Sequence, residues 1–347
     1  MATIRDIARR AGVSIGSVSN YLNNPDMVSE ETCEAIRQAI EELNYHPRAA
    51  ARSLKSNYTH RIGIVPLIVP EENAGVAPSD IAFLEFLSAV NTTAAEQAYG
   101  LLLYAATSQD EELHIYERLV GEKQVDGLIL MGTQPMDPRI EFLSKQQFPF
   151  VTFGRSQHTT EHAYVDTDGA KGIAGAVEHL VQLGHQRIAY IAPPGGLMCA
   201  VHRWQGFCGA MAEHNLAVQD ELVVEGGFTE QSGQIAMHLL LDSPHPPTAV
   251  IAANDVCAFG AMRALQMRGL LAGQDVSVVG FDDIRLASHW YPSLTTLRQP
   301  LRRIGSVATQ ILTATITGQE VERQVIFEPE LIVRHSTGPV KEAAPAR

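Results

Sequence analysis

"TIRDIARRAGVSIGSVSNYLN", residues 3–23, decides how the rest of the chain is read. Thr3 followed by Asp6 has the spacing of a helix capping box, with Asp in place of the usual Glu or Gln. Ile4, Ile7, Ala8 and Ala11 then recur at helical spacing. Gly12 supplies a left-handed stop, and Ser14 can cap a second helix with Val18 and Leu22 on its inner stripe. A third helix is expected after Ser29. Glu30 and Glu31 suit its positive end, and Ala35, Ile36, Ala39, Ile40 and Leu43 form its apolar face. Three short helices, the first two joined by a tight glycine-containing turn, make a helix-turn-helix. The outer face of the second helix carries Ile15, Gly16, Ser17 and Asn20. These side chains are uncharged and mostly short, so another molecule's backbone can come close.

Charge supports giving that face the contact role. The chain has 347 residues and a formal net charge of −13. Its first sixty residues hold seven basic and seven acidic side chains, so the excess negative charge lies entirely beyond them. An acidic body is repelled by DNA, and any nucleic-acid contact has to come from the front. The start has no apolar signal-like region, and no stretch approaches eighteen uncharged apolar residues. The expectation is a cytoplasmic protein with no membrane partner. Four cysteines lack CxxC spacing and read as reduced thiols. The histidines form no HExxH and no cluster with cysteine, so neither a metal nor a cofactor is expected. No nucleophile elbow and no phosphate loop is present, which argues against an enzyme.

Beyond residue 58 short apolar runs alternate with helical stretches. "RIGIVPLIV" (61–69), "GLLLYAAT" (100–107), "VDGLILMG" (125–132) and "FPFVTFG" (148–154) read as buried strands. A second series begins near residue 162 with "HAYVD" and continues through "RIAYIAPP", "ELVVEGG", "TAVIAAND" and "DVSVVGFDD". Strand–helix alternation predicts an α/β fold with parallel sheets. "HRIGIVPLI" at 60 and "HQRIAYIAP" at 185 echo each other, which points to two similar subdomains in tandem.

The succession "TIRDIARRAGVSIGSVSNYLN", "VSEETCEAIRQAIEELNYHP" and "RAAARSLKSN" resembles the N-terminal signature of the LacI/GalR repressor family. "HPRAAARSLK" is especially similar to its purine-repressor branch, and the likeness runs through the body, which resembles the family's periplasmic-binding-like core. The resemblance implies a helix-turn-helix domain at 1–46, a hinge helix at 47–57 and a ligand-binding core at 58–340. Within that core it implies an N-subdomain of about 60–158 and 294–320, a C-subdomain of about 159–291 and 323–340, and then a tail at 341–347. The chain would cross between subdomains near 154–161, 290–295 and 317–323.

On this resemblance Ile15, Gly16 and Asn20 lie against base edges in the major groove. Ser14, Ser17, Asn23 and Tyr45 sit near phosphates and fix register. Many relatives carry Arg where Asn20 stands, and Asn prefers adenine where Arg prefers guanine. Leu54, between Arg52 and Lys55, matches the residue that wedges into a base step of the minor groove. The hinge is too short to be a stable helix alone and is expected to order on DNA. The implied partners are a double-stranded, near-palindromic operator, a second copy of the chain and a small-molecule effector.

The effector is expected in the cleft, at the carboxyl ends of the strands. Arg203 in "HRWQGF", Asp282 in "VVGFDD", Phe228 in "GGFTEQSG" and the pair Asn254–Asp255 in "IAANDV" match ligand-facing family positions, with Arg155 and Asp166 as weaker candidates. Leu197 and Cys199 stand where a purine site wants polar groups, so a sugar is the first expectation. A nucleobase-responsive repressor is the alternative, and a periplasmic-type solute-binding protein a more distant one.

Overall fold

The computed structural model describes residues 2–23, 25–45, 58–68, 81–157 and 161–341. Leu54 and Lys55, with the rest of the hinge, lie outside the described residues. The chain divides into two compact units, residues 1–59 and 60–347.

In the first unit α1 (Ile4–Ala11), α2 (Ile15–Asn23) and α3 (Glu30–Glu42) form where the sequence places them. Thr3 and Asp6 make a reciprocal capping box, and Gly12 takes φ +67° as the cap of α1. The Ser17 N–H donates to Ser14 Oγ at 2.9 Å, which starts α2. Ile7, Ala8, Val18, Ile36 and Ala39 form a small core. Tyr45, expected near phosphate, packs its ring into this core at 8% exposure. Apolar area is scarce in so small a unit, and the ring is worth more inside.

Among the described residues the second unit holds two six-stranded sheets. The first contains β1 (Arg61–Ile64), β2 (Gly100–Leu103), β3 (Gly127–Leu130), β4 (Phe150–Phe153) and β5 (Ala163–Thr167). The second contains β6 (Ile188–Ala192), β7 (Val223–Glu225), β8 (Ala249–Ile251), β9 (Ser277–Asp282) and β10 (Thr295–Arg298). β11 (Gln324–Phe327) closes the first sheet and β12 (Glu330–Ile332) the second. The orders are β11-β5-β4-β3-β1-β2 and β12-β10-β9-β8-β6-β7. Only the β10–β12 pair among these ladders is antiparallel. The repeated motif at 60 and 185 therefore falls on β1 and β6, which occupy the same place in their two sheets.

The subdomain boundaries differ from the sequence expectation. β5 pairs with β4, Val151 opposite Ala163 and Phe153 opposite Val165, so "HAYVD" completes the first sheet rather than opening the second. The chain crosses after Thr167, again between β10 and the helix beginning at Leu301, and a third time between β11 and β12. Each crossing lies past the polar loop that suggested it. Backbone pairing of the next strand satisfies more hydrogen bonds than a turn at the loop would.

Candidate functional site

The helices that shape the cleft are α4 (Ile81–Glu96), α5 (Gln109–Gly121) and α6 (Pro138–Lys145) on the first sheet, and α7 (Gly169–Gln182), α8 (Met198–Glu213), α9 (Glu230–Leu241) and α10 (Asp255–Met267) on the second. α11 (Leu301–Ile316) returns to the first sheet and packs against α4. Between the sheets, at the carboxyl ends of their strands, lies a cavity of about 240 Å³. Arg155, Asp166, Arg203, Phe228, Asn254 and Asp282 all line it, so six of the seven expected ligand residues come together from distant parts of the chain.

Arg203 projects from α8 and is 7% exposed. Its guanidinium carbon lies 3.5 Å from the Phe281 ring centroid, a cation–π contact. Nη1 donates to the Ala253 carbonyl at 2.7 Å. Nε is buried and finds no acceptor among the described residues. A buried donor without a partner is costly. Nη2 donates to no described residue and is not sealed off in this way, so it is the donor left open to a ligand oxygen in the cavity wall.

Asp282 ends β9 with φ +120°, a strained value for a residue with a side chain. Its Oδ1 accepts from Gln299 Nε2 at 2.5 Å. Asp283 follows at φ +57° and forms ion pairs with Arg298 at 2.7 Å and Arg334 at 2.6 Å. It fastens the strand end. The Arg155 Nε donates to Asp166 Oδ2 at 2.7 Å, and the Thr167 N–H to Asp166 Oδ1 at 2.8 Å. Asp166 is thereby largely occupied in holding Arg155. Asn254 caps α10 by accepting from the Cys257 N–H at 2.8 Å, and its Nδ2 donates to the Phe228 carbonyl at 3.3 Å.

Asp255 is the correction. It is fully buried and does not line the cavity. One oxygen accepts the Ile284 N–H at 2.8 Å and the other the Thr296 hydroxyl. Burial, reinforced by Asp282, pushes its pKa well above the ordinary carboxylate range. It is a structural clamp between the start of α10 and the loop after β9, not a ligand contact.

Several site residues were not signalled by motif or spacing. Phe86 of α4 and Phe153 of β4 stack with centroids 5.2 Å apart at the apolar end of the cavity. His202 lines it one residue before Arg203, with its pKa lowered by burial and by Arg155. A buried ion cluster occupies one wall. Arg139 donates from Nε and Nη2 to Asp137 at 2.9 and 2.6 Å, and from Nη1 to Glu112 Oε1 at 2.5 Å. Its remaining N–H groups reach the Met131 and Gly132 carbonyls, both at 3.0 Å. "DPRIEF" reads locally as a capped helix start, and nothing in it announces a partner 27 residues upstream.

In the first unit Ile15 is 50% exposed, and Gly16 and Asn20 are exposed beside it on α2. Ser14 and Ser17 are tied to each other at 2.9 Å at its start, and Asn23 ends the helix. The surface offered is uncharged and backed by the packed Val18.

Comparison with known proteins places both units. Residues 3–48 match the model for bacterial regulatory proteins of the lacI family, and residues 177–337 that of a periplasmic binding protein-like domain. The HTH-type transcriptional repressor PurR of Serratia proteamaculans (strain 568) is 38% identical over 343 residues, covering 97% of each chain. The lac repressor dimer bound to operator and the anti-inducer ONPF superposes with TM-score 0.86 at 28% identity, covering 97% of this chain and 99% of that one. The complex of the transcriptional regulator CelR with cellobiose aligns with TM-score 0.73 at 32% identity, over 97% and 100%. Among the described residues no helix is long and apolar enough to cross a membrane. With its helix-turn-helix, its paired parallel sheets and a near full-length likeness to curated repressors, this chain belongs to the LacI family of DNA-binding transcriptional repressors.

Proposed function

We propose that the chain acts in the cytoplasm as a homodimer on a near-palindromic operator, and that a small molecule in the cleft sets how tightly it holds. Two-fold symmetry in the protein calls for two-fold symmetry in the DNA. Ile15 and Asn20 supply base contact, Gly16 lets α2 approach closely, and Ser14, Ser17 and Asn23 lie toward phosphates. Leu54 and Lys55 act from the hinge, the first as a wedge and the second as phosphate attraction. Ligand binding changes the relation between the two sheets, and the effector acts through its different affinity for the two states. The Nη2 of Arg203, without a hydrogen bond to any described residue in the cavity wall, carries the effector half of this reading.

For the effector we favour a flat heterocycle of nucleobase type. Phe86, Phe153, Phe228, Phe281, Leu197 and Met198 line the cavity. A planar ring buries both faces against such walls, with Arg203 and Asp282 left to hold its polar edge. The PurR relatives agree with this reading. A sugar is the second reading, favoured by the likeness to the CelR–cellobiose complex.

The test has two stages. Selection of genomic fragments on the purified protein should return an inverted repeat. Operator affinity is then measured with hypoxanthine, guanine, adenine, ribose and cellobiose. A nucleobase should shift it roughly 5- to 150-fold, the usual range of allosteric coupling. A response to the sugars alone would replace the nucleobase by the sugar reading. Failure to retain any inverted repeat would overturn both.

A further inference from the structure

The buried ion cluster on the wall formed by α5 and α6 does not balance. Glu112 and Asp137 face a single cation, Arg139, and the three are 3%, 0% and 4% exposed. Every N–H of Arg139 is engaged: Nε and Nη2 by Asp137, Nη1 by Glu112 Oε1, and the remaining two by main-chain carbonyls. The guanidinium has five donors, and none is left. Glu112 Oε2 therefore receives no hydrogen bond from any described residue, and it is not among the sealed-off, partnerless atoms. Glu112 lines the effector cavity, as does Gln109 one turn earlier on the same helix. Tyr116, one turn later on the same helix, is fully buried, and burial raises its pKa. Burial also raises the Glu112 pKa despite Arg139, as expected of a carboxylate short of one positive partner.

A carboxylate in a largely apolar wall with half its acceptor capacity unused is costly in the empty cavity. We infer that Glu112 is a specificity residue for the effector, and that the effector is a flat nitrogen heterocycle held there through an amine- or amidine-type nitrogen that is cationic when bound. The cation meets Glu112 Oε2, the body lies along Phe86 and Phe153, and an acceptor at the opposite edge meets Arg203. The inference rests on the proposal that this cleft holds the effector, and it adds which chemical class the cleft selects.

The test uses matched flat probes that differ in charge: benzamidine against benzamide, and 2-aminobenzimidazole against 2-hydroxybenzimidazole. Binding to the full-length protein is measured by calorimetry without DNA, and operator retention is recorded separately. The cationic member of each pair should bind about tenfold or more tightly than its neutral partner, as a charged hydrogen bond in a buried site implies. Glu112→Gln keeps an oxygen for Arg139 and removes the charge, and it should abolish that preference. The inference is overturned if the wild-type protein binds the neutral members equally well. It is equally overturned if the wild type binds neither cation at millimolar concentration, or if Glu112→Gln leaves the preference intact. Absence of the cation preference in a wild-type protein that still holds an operator counts against this inference alone. Loss of operator retention with the preference intact counts against the proposed repressor function alone.

Discussion

Arg203 and Asp255 show how burial separates two polar residues with similar sequence credentials. Arg203 keeps an unused donor in the wall of a cavity, whereas both oxygens of Asp255 are spent on Ile284 and Thr296. Arg203→Ala should remove the effector response, weakening effector binding by roughly tenfold or more while leaving operator affinity in the absence of effector unchanged. A titration of operator binding against effector checks this, and an intact response would displace the ligand from Arg203. Asp255 makes its prediction through pH. Its folded pKa is raised, so the folded chain keeps a proton that the unfolded chain has already released. Stability is therefore lost as pH rises above the unfolded value, by about 1.4 kcal/mol per pH unit until the folded pKa is reached. Asp255→Asn can keep both hydrogen bonds and removes the penalty, with Asp282 and Asp283 the other nearby carboxylates. The variant should match the wild type below the ordinary carboxylate range, about pH 3.9, and gain on it as pH rises from there until the folded carboxyl itself ionises. Thermal unfolding across that range measures the difference, and a pH-independent gap would refute the assignment.

At the scale of elements, backbone contact between helices decides which glycines matter. A Cβ on Gly260 of α10 would lie 1.9 Å from the Glu230 carbonyl of α9, and one on Gly233 would lie 2.0 Å from the Cys257 carbonyl. The two helices meet main chain to main chain, and neither backbone can yield as a flexible side chain would. Gly260→Ala should cost about 1–3 kcal/mol or more from overpacking. Gly175 lies within α7 with open space where a Cβ would go. Gly175→Ala should be neutral or stabilising by up to about 1 kcal/mol through helix propensity. Denaturant titration of the two variants side by side distinguishes packing from propensity. Equal effects would mean that α9 and α10 are not in such close contact.

At the scale of the whole molecule, the proposed function asks a cleft event to reach the helix-turn-helix. The body is strongly acidic and the first sixty residues are neutral. Attraction to DNA is thus local, and control of the hinge is an economical way to regulate it. The three crossings join the sheets at the cleft end, so a ligand there acts where the two halves are connected. If Leu54 is a wedge, Leu54→Ala should weaken binding to the selected operator about tenfold or more, the scale of a few kcal/mol of unstacking, while barely changing binding to random duplex. Competition with bulk DNA at fixed salt measures this, and parallel loss on both substrates would make Leu54 an ordinary linker residue.

The helix-turn-helix was legible because its determinants are local. The capping box of Thr3 and Asp6, the stop at Gly12 and the stripe of Val18 and Leu22 act over three or four residues, and no distant partner can overrule them cheaply. Strand–helix alternation likewise established parallel sheets, and the echo of 60 in 185 marked equivalent strands. Resemblance to a known family brought Arg203, Asp282, Phe228 and Asn254 to the cleft. Pairing across the sheets was decided only in three dimensions. "HAYVD" reads as a strand in either subdomain, and its partnership with β4 moved the first crossing past Thr167. Asp255 carries a side chain suited to contact, and burial among particular neighbours gave it structural work instead. The Glu112–Arg139–Asp137 cluster had no linear signal, because the charge balance of a cavity wall exists only once helices separated in sequence have packed together.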